Sequence, residues 1–384
     1  MINRNMAGIV KKLSTQFPVI TLSGPRQSGK TTLARYLFPD YNYVNLENPA
    51  NREFAANDPE GFLKKYPDKV IIDEFQRVPD LASYLQVHID EAGKQGMYIL
   101  TGSNQFEYMN IISQSLAGRT AILKLLPFSY DELFSENFYD LNKILFQGSY
   151  PGLHDNQIEP EVFYSSYIET YLQRDVRLLV NVKDLSLFER FLKLCAGRTG
   201  QVVNYTSLAN DAGIDVRTLK QWLSVLQASF IIHLLPPYHN NFNKRIMKSP
   251  KLYFFDTGLV CNLLGIRKDY QIDNHPLRGE IFETFIFSEL LKSIYNQARR
   301  SNLYFWRDSN NLEIDFIADQ GNSLIAIEVK FNATPRKALF KNLNTMQKLT
   351  DKITLKYLAY SGDLWEERYN SLLCGYQYIS RINP

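Results

Sequence analysis

The stretch Gly24-Pro25-Arg26-Gln27-Ser28-Gly29-Lys30-Thr31-Thr32 follows the apolar run Val19-Ile20-Thr21-Leu22 and leads into a helical pattern that ends at Leu37. A strand, a glycine-bearing loop and a helix, with the spacing Gly-x-x-x-x-Gly-Lys-Thr, form a phosphate-binding loop. Gly24, Ser28 and Gly29 let successive backbone N–H groups turn inward on phosphates, and the dipole of the following helix favours an anion. Lys30 is expected to reach the β- and γ-phosphates, and the Thr31 hydroxyl to ligate Mg²⁺. A bare glycine-rich turn is the competing interpretation, and the flanking strand and helix weigh against it.

Downstream, Val70-Ile71-Ile72-Asp73-Glu74 reads as a buried strand that delivers two carboxylates at its end. Asp73 would hold Mg²⁺ through water and Glu74 would act as general base toward an attacking water, which points to hydrolysis. Tyr98-Ile99-Leu100-Thr101-Gly102-Ser103-Asn104 is a further apolar strand ending in small polar groups. Ser103 first, and Asn104 second, are candidates to orient the lytic water, against the alternative of a plain Gly-Ser turn. A helical stretch then closes in Ser115-Leu116-Ala117-Gly118-Arg119. Arg119 is placed either to reach a neighbouring subunit's γ-phosphate or to complement its own helix dipole.

These motifs, in this order, resemble an AAA+ ATPase core. More narrowly, Gly24-Pro25-Arg26-Gln27, Asp73-Glu74-Phe75-Gln76-Arg77-Val78-Pro79 and Ser115-Leu116-Ala117-Gly118-Arg119 resemble a prokaryotic AAA+ family. That family carries a central winged helix-turn-helix and a C-terminal PD-(D/E)XK, restriction-endonuclease-like domain. The resemblance spans essentially the whole chain and implies an α/β fold class. Its expected order is a P-loop parallel sheet at residues 1–134, a helical lid and winged helix at 135–274, and a nuclease-like α/β domain at 275–384. It also implies ATP as the nucleotide, in keeping with the lack of an Asn-Lys-x-Asp guanine-reading motif.

At 384 residues the chain is long enough for roughly two or three domains. Hydrophobic residues make up 45% and charged residues 22%, which excludes disordered and fibrous classes. No run reaches the roughly 20 apolar residues of a membrane span, and the start MINRNMAGIVKKL lacks a signal-peptide core, so a cytoplasmic protein is expected. Cys195, Cys261 and Cys374 are scattered and without neighbouring His, which suggests buried thiols rather than disulfides or zinc. A net charge of +3 does not by itself diagnose nucleic-acid binding.

In the middle region a long amphipathic run, Glu161 to Leu179, precedes a pair of short helices near Thr206 to Ser229. Asp215 is the expected N-cap of the second helix. Leu219, Trp222, Leu223 and Leu226 then mark a core face, while Arg217, Lys220 and Gln221 point outward. The run Phe230 to Leu235, a loop from Pro236 to Pro250 and a strand Lys251 to Phe255 would add a wing. Arg217, Lys220, Lys244, Arg245, Lys248 and Lys251 are the candidate contacts to DNA phosphates, against a purely structural or protein-binding use of the same shape. Asp273-Asn274-His275-Pro276 is the expected linker.

Beyond it, Glu313-Ile314-Asp315 and Ile327-Glu328-Val329-Lys330 place polar groups at alternate residues of two strands. Asp315 and Glu328 are candidate Mg²⁺ ligands, Lys330 would steady water or developing phosphate charge, and Glu283 is a further ligand or orienter. The pattern resembles the PD-(D/E)XK core, against a salt-bridged sheet face or a retained but inactive fold. The chain is therefore expected to be a Mg²⁺-dependent ATPase coupled to DNA binding or processing, with Arg119 implying a homo-oligomer if it acts in trans. The alternative is a nucleotide-switched regulatory ATPase with a silent C-terminal domain and protein partners.

Overall fold

A computed structural model describes residues 2–103, 114–134, 139–172, 185–238, 249–308 and 312–384. The chain forms two compact units. The first comprises Met1–Phe128 with the short segments Ala228–Phe230 and Tyr295–Arg299; the second comprises Ser129–Gln227, Ile231–Ile294 and Arg300–Pro384.

The first unit contains α1 (Ala7–Ser14), β1 (Val19–Ser23), α2 (Lys30–Leu37), β2 (Asn42–Asn45), α3 (Pro49–Asn57), α4 (Pro59–Lys65), β3 (Val70–Asp73), α5 (Leu81–Ala92), β4 (Tyr98–Gly102) and β5 (Thr120–Lys124). The five strands form one parallel sheet in the order β2-β3-β4-β1-β5. Strands covered on both faces carry near-continuous apolar runs, because successive side chains face opposite layers and both layers are dry. Val70 and Ile72 of β3, with Tyr98 and Leu100 of β4, pack into one core beside Leu85. Ile71 and Ile99 face the opposite core with Ile20, Leu22 and Leu33. Each such buried aliphatic side chain contributes about 1.5–3 kcal/mol, so the layered cores hold the strand ends that carry the polar residues.

The second unit begins with short helices, α6 (Tyr130–Phe134), α7 (Leu141–Gln147), α8 (Pro151–Asp155) and α9 (Pro160–Tyr167). The long run foreseen from Glu161 is a helix only to Tyr167 and continues as a π-helical turn, Ile168–Leu172. Its remainder to Leu179 lies outside the described residues. Next come α10 (Leu185–Ala196), β6 (Gln201–Val202), α11 (Tyr205–Ala212), α12 (Val216–Ala228), β7 (Ile232–Leu235), β8 (Lys251–Phe254) and α13 (Thr257–Leu263). The strands make a small antiparallel sheet, β6-β8-β7.

The last elements are α14 (Arg278–Asn296), β9 (Leu303–Arg307), β10 (Glu313–Asp319), β11 (Leu324–Lys330), α15 (Lys341–Gln347), β12 (Ile353–Tyr360), β13 (Trp365–Arg368) and β14 (Ser371–Gly375). Their strands form a mixed six-stranded sheet, β13-β14-β12-β11-β10-β9, with the β11/β12 and β12/β14 pairs parallel. Ile314, Ile317, Ala326 and Leu358 pack its core with Leu343 and Met346 of α15.

Within the expected linker, His275 and Pro276 lie outside regular structure, while Asp273 and Asn274 close a short helical turn. Asp269–Asn274 forms a 3₁₀ helix, and Ile272 within it is fully buried, so apolar burial outweighs the loop-forming composition. All three cysteines are free and buried, as their spacing suggested. Among the described residues no helix is long and apolar enough to cross a membrane.

Candidate nucleotide site and carboxylate cluster

The loop after β1 needs its glycines. Gly24 sits at φ +149°, and a Cβ there would meet the Leu125 carbonyl oxygen at 2.1 Å. Gly29 is left-handed at the N-cap of α2, a conformation that glycine adopts without the Cβ penalty. Pro25 and Ser28 are buried, Arg26 is half-buried, and Gln27 and Thr32 are exposed. The Ser28 hydroxyl is buried and has no hydrogen-bond partner among the described residues. Lys30 folds back into the loop, its Nζ donating to the Gly24 carbonyl at 3.0 Å and the Pro25 carbonyl at 2.7 Å. Burial pushes its pKa down to about 8, against the opposing pull of Glu74 and Asp73.

Asp73, at the end of β3, gathers hydroxyls from three elements. Thr31 Oγ1 donates to Asp73 Oδ1 at 2.9 Å, Tyr43 Oη to Oδ2 at 2.8 Å, and Thr101 also donates to this carboxylate. Tyr43 and Thr101 are participants that sequence reasoning missed. Their signal lies in strand order, since β2 and β4 flank β3 on either side. The next residue, Glu74, adopts φ 56° and ψ 43°, which turns the chain out of the strand. Gln76 Nε2 donates to Glu74 Oε2 at 2.6 Å. Burial raises the Glu74 carboxyl, while Lys30 and Arg26 pull it down. Ser103 is 5% exposed, with a hydroxyl that has no partner among the described residues. Asn104 lies outside them.

Arg119 stands just before β5 and grips α5. Its Nε donates to Asp90 Oδ1 at 2.6 Å and its Nη2 to Oδ2 at 2.7 Å, and Nη1 reaches the Ala117 carbonyl at 3.1 Å. It thus combines a carbonyl contact in its own turn with a two-pronged ion pair to the neighbouring helix.

In the second unit, Asp215 caps α12 by accepting from the Arg217 and Thr218 backbone N–H groups at 2.8 and 2.9 Å. Leu219, Trp222, Leu223 and Leu226 are buried, while Arg217, Lys220 and Gln221 are exposed. Lys244, Arg245 and Lys248 fall outside the described residues. Lys251 requires a correction: it is no surface cation but only 2% exposed. Its backbone pairs with Val202 on one side and Leu235 on the other, and the side chain enters a nest of acids.

Lys251 Nζ lies 3.0 Å from Glu283 Oε1, 2.5 Å from Glu313 Oε1 and 3.7 Å from Asp315 Oδ1. A one-residue bulge in β10 falls between Ile314 and Ile317, the interval that holds Asp315 and Phe316, and bulges of this kind re-aim side chains. Asp315 Oδ2 accepts from the Val329 N–H at 2.8 Å. Lys330 Nζ pairs with Glu328 Oε1 at 2.7 Å, and Asn342 donates to the same oxygen at 3.1 Å. Glu328 Oε2 is buried without a partner among the described residues. Burial pushes Glu283 up to about 7 and Glu328 up to about 8, with Asp315 adding to both. Among the described residues, no three His, Cys, Asp or Glu side chains form a group able to hold a metal ion.

Residues 16–134 match the family model described as an AAA domain. Residues 139–270 and 278–376 match two models described as domains of unknown function, DUF8612 and DUF4143. Uncharacterized proteins of Mycobacterium bovis and Mycobacterium tuberculosis are each 28% identical over 337 residues, covering 86% of this chain and 74% of theirs. Among solved structures, a Walker-type ATPase of Pyrococcus abyssi aligns at 13% identity over 68% of this chain and 96% of its own, with a TM-score of 0.46. The RuvB Holliday junction branch migration motor of Thermotoga maritima aligns at 15% identity over 61% of this chain and 90% of its own, with a TM-score of 0.31. The loop, the parallel sheet and the family match together define residues 16–134 as an AAA-type P-loop ATPase domain.

Proposed function

We propose that the chain is a Mg²⁺-dependent ATP hydrolase, releasing ADP and phosphate, whose nucleotide cycle is coupled to DNA binding. The observation that carries this is the convergence of Thr31 on Asp73, with Lys30 in the loop and Glu74 next along the chain. Thr31 and Asp73 already share a hydrogen bond and offer the hard oxygen donors that Mg²⁺ requires. The ion would offset charge on the phosphates. Lys30 exchanges its two carbonyl contacts for phosphate oxygens, and the loop N–H groups line the same anion. Glu74 takes the proton of the attacking water, and burial, which raises its carboxyl above the ordinary range, makes it a stronger base for that step. Ser103 offers a hydroxyl without a partner among the described residues to orient this water. Arg119, released from Asp90, serves the γ-phosphate of a neighbouring copy in a homo-oligomer.

For the DNA contact we infer the exposed face of α12, with Arg217 and Lys220 on phosphates. Phosphate release measured with and without duplex DNA tests the proposal. DNA-stimulated turnover lost in Lys30→Ala is the expected result, and turnover that persists unchanged in that variant refutes it. For the C-terminal sheet we infer a restriction-endonuclease-like fold, supported by Glu313, Asp315, Glu328 and Lys330 on adjoining strands. Lys251 among those acids favours a second reading of the whole: a nucleotide-switched regulatory ATPase whose C-terminal site is silent.

A further inference from the structure

The acidic site of the C-terminal sheet receives one of its cations from outside that sheet. Glu283 comes from α14, Glu313 and Asp315 from β10, and the ammonium they share from β8. A helix and a strand thus supply hard oxygens of the kind a divalent cation takes, but as held around the ammonium they do not form a metal-holding group among the described residues. The ammonium has N–H donors for Glu283 and Glu313, and Asp315 stands beyond hydrogen-bond distance as an ion-pair partner. Magnesium needs oxygens at about 2.0–2.1 Å and so competes for the same atoms that Nζ holds.

Lys251 cannot simply step aside. Its side chain is 3% exposed, and its strand is the central one of the β6-β8-β7 sheet. Nearby on the same strand, Tyr253 stacks on Phe287 of α14 with ring centroids 4.6 Å apart and donates its hydroxyl to Glu283. Ser288 Oγ of α14 donates to the Phe255 carbonyl at 2.7 Å, just past the strand. The C-terminal half of β8 is therefore fixed against α14, and Lys251 at its start is held by backbone pairing to Val202 and Leu235. The residues expected to bind Mg²⁺ at this site, Glu283, Asp315 and Glu328, do not fit the ion. The first and second already face Lys251, and the third is bonded to Lys330 and Asn342 through Oε1, which leaves Oε2 as its one oxygen without a partner among the described residues.

We propose that Lys251 is a built-in cation that stands in the place of a divalent metal ion, making the acidic site a fixed electrostatic junction rather than a catalytic centre. The proposal rests on the second reading above and supplies its cause. A buried ion cluster of this kind is costly to break from one side, because removal of the ammonium leaves carboxylates uncompensated.

Mn²⁺ is the probe, titrated into nucleotide-free protein and followed by loss of the free-ion electron paramagnetic resonance signal. The wild type is expected to bind the same amount of Mn²⁺ as Asp315→Asn. Lys251→Met is expected to gain a site that Lys251→Met/Asp315→Asn lacks. Wild-type binding abolished by Asp315→Asn overturns the proposal, and so does a folded Lys251→Met that gains nothing. Should Lys251→Met not fold, the melting temperature of wild type decides. A temperature indifferent to millimolar Mn²⁺ supports the proposal, and an increase that vanishes in Asp315→Asn overturns it. Plasmid cleavage in Mg²⁺ is scored separately. Metal binding without cleavage sinks the role of Lys251 while leaving a silent site, whereas cleavage lost in Asp315→Asn sinks both.

Discussion

Lys30 is held down to about 8 by burial in the loop, and this gives the nucleotide site a pH signature. A triphosphate beside the ammonium stabilises its charged form, so the pKa is higher with ATP bound than without. Below pH 8 the lysine is charged in both states and affinity is flat. Above pH 8 binding must take up a proton, and affinity falls by up to about tenfold per pH unit. Calorimetry in buffers of differing ionisation enthalpy measures that proton directly, and no uptake at pH 9 contradicts the assignment. Glu74→Gln is expected to lower turnover by about 10²–10⁴-fold with ATP affinity nearly unchanged, as befits a group that acts on the attacking water. Tyr43→Phe removes the hydrogen bond to Asp73 Oδ2 without changing the ring. Its expected effect is a higher Mg²⁺ concentration for half-maximal turnover, with nucleotide affinity in the absence of metal unaltered.

At the scale of elements, α12 separates stability from binding. Leu219→Ala, at a fully buried position, is expected to cost about 2–5 kcal/mol in denaturant unfolding. Arg217→Ala and Lys220→Ala sit on the exposed face and are expected to leave that unfolding curve in place. The heptad-like face of this helix and the strands around the phosphate loop were readable in the sequence, because apolar periodicity and burial are two views of one constraint. The partners of Asp73 were not, since Tyr43 and Thr101 reach it only through the lateral order of β2, β3 and β4. Lys251 misled for a related reason. A lysine near Lys244, Arg245 and Lys248 reads as one more solvated cation, and only long-range pairing of β8 reveals the acids it faces. Asp273 and Asn274 likewise belong to a 3₁₀ segment anchored by Ile272, a single apolar residue too little to outweigh its polar neighbours in a sequence window.

For the whole molecule, the proposed DNA contact predicts a slope. If Arg217 and Lys220 each meet a phosphate, neutralising both lowers the dependence of log affinity on log salt by about two, with no change in sequence preference. Fluorescence anisotropy across a salt series reads this, and an unchanged slope places any contact elsewhere. Arg119 in trans predicts that an Arg119→Ala chain and a Lys30→Ala chain, each inactive alone, recover turnover on mixing, alongside a molar mass in ATP above that of one chain. Lys251 bears on how this polypeptide can be divided. The ammonium that Glu283, Glu313 and Asp315 share is encoded upstream of all three. A gene fragment starting near residue 277 would therefore yield an acid-lined core with its ammonium left behind on the other piece. Anyone grafting the last hundred or so residues onto a foreign protein would have to bring β8 along, and the two family-sized segments on either side of the seam would travel as a pair.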